Sequence, residues 1–327
     1  MRRLTIRGPH LLVTGLLLAS FVLPEGVWAA SWPERTVKII SSGAGASPDA
    51  AARLLAEKLS ERWKQPVVVE NRAGAGGILA AQGMIEARDG HTLLFGSHSI
   101  FTVNPLLYEK LPYDPVQDVA PLSLAVEDFL SIVVAPSLNV SSLKELADLA
   151  RTIPGELNFY SVSGSPYLSF LAWQKRAGIK ATFVNYRTAT NAITDLMQGR
   201  IQIAVLPLAA VLGSSQAGTL KLLAVTNAVR SPATPQTPTV SEAGFPEFTF
   251  GGLLGLFGPK DLPAEVRERV AADVQAILGE PDVAERLKNV GLIARGTTPS
   301  EFETVLAEQR GKWAALALEH DVKPASR

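Results

Sequence analysis

Cysteine is absent from this chain of 327 residues. No disulfide, no thiolate metal site and no lipid on a cysteine is therefore available, and the fold must rest on its apolar core. Histidine is scarce too: beyond residue 29 there are only His91, His98 and His320. No spacing of His, Asp and Glu matches a metal site, so neither a metal nor a cofactor is expected. A surplus of one charge is also missing, with 31 Lys and Arg against 31 Asp and Glu. Such a balance gives no attraction for nucleic acid or anionic lipid, and no nucleic-acid partner is expected. Long apolar runs are confined to Leu11–Leu23, which falls short of the roughly 20 residues that a membrane-spanning helix needs.

That run lies in an ordered context. Arg2, Arg3 and Arg7 precede it, and Pro24-Glu25-Gly26 and Val27-Trp28-Ala29 follow it. A basic start, an apolar centre and a small-residue end make a secretory signal peptide. Cleavage after Ala29 fits best, because a cut after Ala30 would set bulky Trp28 three residues upstream. Residues 1–29 are thus a signal peptide and the destination is the periplasm. The remaining roughly 300 residues, at about 100–200 per domain, suggest two domains. They carry 28 Lys and Arg against 30 Asp and Glu.

Beyond Ala30 the pattern alternates short apolar strands with helices, which argues for an α/β fold of parallel βαβ units. Strands are expected at Val37–Ile40, Val67–Val69 and Thr92–Phe95. Ser47-Pro48-Asp49 is a helix start, with Ser at the cap and an acid near the positive end. That helix should end near Trp63, and the next near Ala87. A second set of units begins near residue 130 with Ser131–Val134, then a capping box at Ser142-Leu143-Lys144-Glu145. Leu157–Tyr160, Thr182–Tyr186, Ile201–Val205 and Lys221–Thr226 read as further strands, with helices from Tyr167 and up to Met197. Three prolines between Arg230 and Pro238 forbid regular structure there. Three helices close the chain, starting at Pro263, at Pro281 and at the cap Thr298-Pro299-Ser300-Glu301.

Two glycine-rich loops each join a strand to a helix. Ser42-Gly43-Ala44-Gly45-Ala46-Ser47-Pro48-Asp49 is the first; Asn71 to Gly77, with Ala75 and Gly76, is the second. Free backbone N–H groups and the helix dipole suit such loops to anions, and each reads equally as a tight βα turn with no ligand. A dinucleotide fingerprint would need glycine where Pro48 stands, and no Walker lysine follows. Consecutive βαβ loops lie at neighbouring strand ends, where open α/β sheets bind ligands. Catalytic groupings are poor. Ser97-His98-Ser99 places a base beside two hydroxyls, so a serine esterase is an alternative, but no G-x-S-x-G elbow is present. An acid such as Asp49 at a helix start is more often a capping acid than a ligand contact.

Taken in order, Val67–Gly77 (VVVENRAGAGG), Asp89–Leu94 (DGHTLL), Leu111–Pro115 with Asp118, Ala224–Gly244, Gly255–Pro259 and Pro263 resemble the Bug/TctC family. These are extracytoplasmic solute receptors of tripartite tricarboxylate transporters. The resemblance implies a non-enzymatic, two-domain periplasmic binding protein, type II-like, with two crossover strands and a ligand cleft between the domains. Residues 30–127 and 251–327 would form domain 1, and residues 128–250 domain 2. It implies a small-molecule carboxylate ligand, large and small membrane transporter subunits as partners, and a monomer. The ligand-binding positions carried over are Ser42, Gly43, Ala44, Gly45, Ala46, Ser47, Asp49, Ala75, Gly76, Ser97, His98, Ser163, Gly164, Ser165 and Tyr186. Departures from the family pattern at Ala46, Ser47, Pro48, Tyr167, Asn185, Thr188 and Leu206 make the cleft less polar. A mono- or dicarboxylate or an aromatic acid is therefore expected rather than citrate. A sensor that presents its ligand to a membrane kinase is the alternative within the same fold.

Overall fold

The computed structural model describes residues 32–43, 47–322 and 324. The expected signal peptide and Ala44, Gly45 and Ala46 lie outside the described residues. Eleven strands among them form two mixed sheets, ordered β11-β4-β10-β3-β1-β2 and β7-β6-β8-β5-β9. The first holds β1 (Val37–Ser41), β2 (Val67–Asn71), β3 (Thr92–Ser97), β4 (Val119–Asp128), β10 (Gly252–Pro259) and β11 (Leu292–Ala294). The second holds β5 (Leu130–Val134), β6 (Leu157–Ser161), β7 (Ala181–Phe183), β8 (Ile203–Pro207) and β9 (Lys221–Val225).

The helices, in chain order, are α1 (Ser47–Trp63), α2 (Ile78–Ala87), α3 (Ser99–Thr102), α4 (Asn104–Leu107), α5 (Leu143–Thr152), α6 (Ser165–Ala177), α7 (Ala189–Met197), α8 (Leu208–Gln216), α9 (Ala264–Leu278), α10 (Pro281–Asn289) and α11 (Pro299–Glu319). The result is an α/β molecule with one domain around each sheet.

The expected parallel units exist, but they do not make all of either sheet. β1 pairs in parallel with β2 and β3, and β6 with β7 and β8. β10, however, lies antiparallel between β3 and β4, and β5 antiparallel between β8 and β9. The reason is connectivity. β4 ends at Asp128 in the first sheet and β5 starts at Leu130 in the second, so the chain changes sheets within two residues. β10 brings it back.

Local starts follow the side chains. Thr298 and Glu301 form the expected capping box: Glu301 N–H donates to Thr298 Oγ1 at 3.2 Å and Thr298 N–H to Glu301 Oε2 at 2.8 Å. At α5 only half of the expected box forms. Ser142 Oγ accepts from Glu145 N–H at 3.1 Å, but the Glu145 carboxylate accepts from Ser141 N–H instead, at 2.8 Å. α6 starts at Ser165, two residues before the expected Tyr167, with Pro166 in its first turn.

Apolar side chains fill both faces of the first sheet. Leu55, Leu59, Trp63, Val266, Val270 and Val274 pack on one face. Ile78, Met84, Phe101, Phe257 and Phe302 pack on the other. The second sheet buries Ile132, Phe159, Phe170 and Trp173, and the same cluster takes in Trp313 and Ala317 from α11. That helix therefore seats Phe302 and Leu306 in the first domain and Trp313 in the second.

Candidate ligand-binding cleft

Strand direction decides where loops meet. β10 is antiparallel to both β3 and β4, so β1, β3 and β4 run the same way and end together near Ser41, Ser97 and Asp128. β5 starts two residues after β4 ends, so the amino end of this inner strand is the end nearest the first sheet. β8 runs against β5 and β6 runs with β8, so Ser161 and Pro207 end facing back. Two sets of carboxyl ends therefore oppose each other, which is where open α/β sheets take ligands.

From the first domain, Gly74, Ala75, Gly76 and Gly77 form an unbroken left-handed run with φ of 124°, 48°, 63° and 85°. Ala75 in that region is strained by roughly 1–2 kcal/mol. Asn104 holds the loop by donating Nδ2–H to Gly76 O at 3.0 Å. A Cβ on Gly76 would stand 3.3 Å from both Asn104 Oδ1 and Ser163 Cβ, and 3.4 Å from the Tyr108 hydroxyl. The second domain's Ser163 thus comes right up against this loop. Ser42 belongs to the same neighbourhood: its N–H donates to Phe95 O at 3.2 Å, and its side chain borders Gly77 and Gly96. Gly43 follows, with the Ser41 hydroxyl reaching its carbonyl at 3.5 Å.

The second meeting point is Ser99 with the start of α6. Ser99 Oγ–H donates to Ser165 Oγ at 3.1 Å and accepts from Ser165 N–H at 3.2 Å. Ser97 Oγ accepts from Ser99 N–H at 3.2 Å. Gly164 has φ +91°, and a Cβ there would fall 2.6 Å from Ser99 Cβ, so only glycine lets the domains approach this closely. The expected residues Ser42, Ala75, Gly76, Ser97, His98, Ser163, Gly164 and Ser165 are thus gathered at one interdomain seam.

His98 is fully buried, and burial first, then the Lys312 charge, push its pKa down to about 3. Its ring is neutral. Thr102 Oγ1–H donates to His98 O at 3.1 Å, so at 2.9 Å it accepts from His98 Nδ1–H. That assignment leaves Nε2 without a proton, 3.5 Å from Ser99 Oγ. Among the described residues no carboxylate orients the ring, and Ser99 is already engaged by Ser165. The pair is a packing contact and not an activated nucleophile.

Three expected positions sit differently. Tyr186 packs edge-on against Tyr160 and donates its hydroxyl to Asp195 at 2.7 Å, apart from the contacts at the seam. Asp49 forms an ion pair with Arg53 at 3.1 Å, one turn along α1. Ser47 is the first residue of α1, with its hydroxyl unpartnered. Leu206 is buried against Tyr160 and Val211. Ser99 and Asn104 were not anticipated at the seam; for Ser99 its place beside Ser97 and His98 was the available signal. A groove of about 740 Å³ opens at the far end of the second domain, lined by Ser142, Lys144, Lys221 and Thr237, away from all these loops. Among the described residues, no helix is long and apolar enough to cross a membrane. Nor does any group of three His, Cys, Asp or Glu there offer a metal site.

The model of the tripartite tricarboxylate transporter family receptors, TctC, matches residues 51–321. The chain belongs to this receptor family. Protein BugT of Bordetella pertussis is 30% identical over 318 residues, which is 96% of this chain and 98% of BugT. The structure of R. palustris Rpa4515 with adipate aligns with a TM-score of 0.85 at 30% identity, over 90% of this chain and 100% of that one. MatC from Rhodopseudomonas palustris with bound malate aligns with a TM-score of 0.80 at 27% identity, over 87% and 99%. TctC proteins are solute-binding receptors and not enzymes, and their fold is the two-domain binding protein seen here.

Proposed function

We propose that this receptor captures a small carboxylate in the periplasm and hands it to the membrane subunits of a tripartite tricarboxylate-type transporter. The observation that carries this reading is the seam itself. Left-handed backbone at Gly74–Gly77 of the first domain lies against Ser163 of the second, and this loop offers backbone N–H groups suited to an anion. Arginine is not needed, because amides and ordered waters suffice to hold a carboxylate. Relatives with bound adipate and malate support an acid of this size over citrate. The buried, apolar Leu206 points the same way.

Ligand that touches both domains stabilises the closed form by its greater affinity for that state. The hinge follows the chain crossings: residues 30–127 and 251–327 make the first domain and residues 128–250 the second. Cleavage near Ala29 releases the receptor as a monomer.

A thermal-shift screen of the mature protein against mono-, di- and tricarboxylates and aromatic acids tests this. An acid at about 100 times its Kd should add roughly 2.7 kcal/mol, a rise of several degrees. No shift with any acid, on a folded and ligand-free sample, would overturn the carboxylate reading.

A further inference from the structure

One polar pair at the end of the first sheet has no role in the contacts described so far. Asp128, the last residue of β4, is 3% exposed, and its Oδ1 has no hydrogen-bond partner. Ser47, the first residue of the 17-residue α1, is 4% exposed, and its Oγ is unpartnered as well. The Ser47 hydroxyl lies beside the Asp128 carboxyl, close enough to act on it. Burial pushes the Asp128 carboxyl up to about 8, and the Ser47 hydroxyl pulls the other way. At neutral pH Asp128 is thus largely a carboxylic acid with an O–H to give.

Its backbone is fixed. Asn227 Nδ2–H donates to Asp128 O at 3.1 Å, and Leu130 N–H donates to Asn227 Oδ1 at 3.2 Å. The preceding Glu127 is held by Asn227 at 2.9 Å and by Arg295. Asp128 therefore stays at the edge where β1, β3 and β4 end, beside the positive end of α1.

We propose that Asp128 and Ser47 form a polar subsite on the cleft floor that takes one terminal carboxylate of a dicarboxylate ligand. This rests on the carboxylate-receptor reading above and names what that reading leaves open, the second end of the ligand. Two hydroxyl donors beside a helix N-terminus favour an anionic acceptor. A neutral Asp128 is what lets a second carboxylate approach, since two ionised carboxylates in contact repel. Buried polar groups left without partners are costly, and a ligand carboxylate supplies partners for both. The other ligand carboxylate then rests on the loops at Gly76, Ser99 and Ser165.

The test is calorimetric titration of the purified protein with adipate and with hexanoate, which has the same chain length and one carboxylate. Wild type is expected to prefer adipate. Asp128→Ala should lower that preference by about tenfold, the loss of a hydrogen bond to a charged group. Ser47→Ala should lower it by about threefold, and Asp128→Asn, which keeps a donor in the same volume, should recover most of it. Ser47 Oγ caps nothing, so Ser47→Ala folds and carries the test even if Asp128→Ala does not. An unchanged preference in Ser47→Ala and in any folded Asp128→Ala overturns the subsite and leaves the receptor reading intact. A wild type that binds neither adipate nor hexanoate overturns the dicarboxylate subsite, and the receptor reading falls with it only if the whole acid panel is silent too.

Discussion

Gly164→Ala is the sharpest probe of the interdomain seam. Gly164 has φ +91°, and the added methyl would lie 2.6 Å from Ser99 Cβ and 3.0 Å from Ser99 Oγ. Two costs separate. Backbone at φ +91° and ψ −139° is nearly confined to glycine and costs an alanine on the order of 1–3 kcal/mol, in open and closed forms alike. The clash is felt only when the domains are together. Relieving it means drawing Ser99 from Ser165, which breaks the two hydrogen bonds at 3.1 and 3.2 Å, each worth about 1 kcal/mol. The closed form alone therefore loses about 2 kcal/mol, or roughly a thirtyfold weaker Kd at about 1.4 kcal/mol per tenfold. Titration calorimetry with adipate reads the affinity, and the melting temperature of the ligand-free protein reads the shared backbone cost. Ser99→Gly in the same chain removes the atom that the methyl meets, and should restore part of the affinity. If Gly164→Ala binds within threefold of wild type while its melting temperature falls, the seam is not what closure requires.

Three further outcomes follow from buried groups. Unfolded chains protonate His98 below about pH 6.5, whereas the native ring resists to about 3, so this group makes stability fall as pH drops through that window. Asp128 acts oppositely: the unfolded carboxyl ionises near 4 and the native one near 8, so stability falls as pH rises between them. Urea unfolding at pH 5 and pH 8 should show Asp128→Asn gaining relative to wild type at the higher pH, by up to about 4 kcal/mol; parallel profiles would refute it. Trp313→Ala should cost about 3–5 kcal/mol in urea unfolding, since Trp313 is 1% exposed and packs edge-on against Phe250 at 6.1 Å; a loss below 1 kcal/mol would contradict that packing.

Much of the architecture is legible in local signals, because helix caps and strand-loop-helix units are written in adjacent residues. Ser47-Pro48-Asp49, Thr298-Pro299-Ser300-Glu301 and Pro281 all open helices as expected. What the sequence hides is pairing across distance. β4 carries Pro121 inside it and reads poorly as a strand, yet it pairs with β10 along its length. α8 follows Pro207 with no cap signal and was not anticipated. In the cleft, the glycine-rich loops announce themselves by composition. Ser99, Asn104 and Asp128 do not, because their meaning lies in partners 66, 28 and about 80 residues away. Tyr186 shows the converse: a position carried over by resemblance, whose hydroxyl Asp195 already occupies.

The last helix changes what the C-terminus is. Because α11 fastens Phe302 into one domain and Trp313 into the other, it works as a spring laid across the hinge, a third connection beside the two strand crossings. Any opening of the cleft must either flex this helix between those two anchors or lift the second one from its seat. The swing of the domains is thereby limited by a segment that packs directly behind the seam, against Ile100 and Phe101 of α3. A chain cut before residue 313 would lose the anchor in the second domain, not merely a tail.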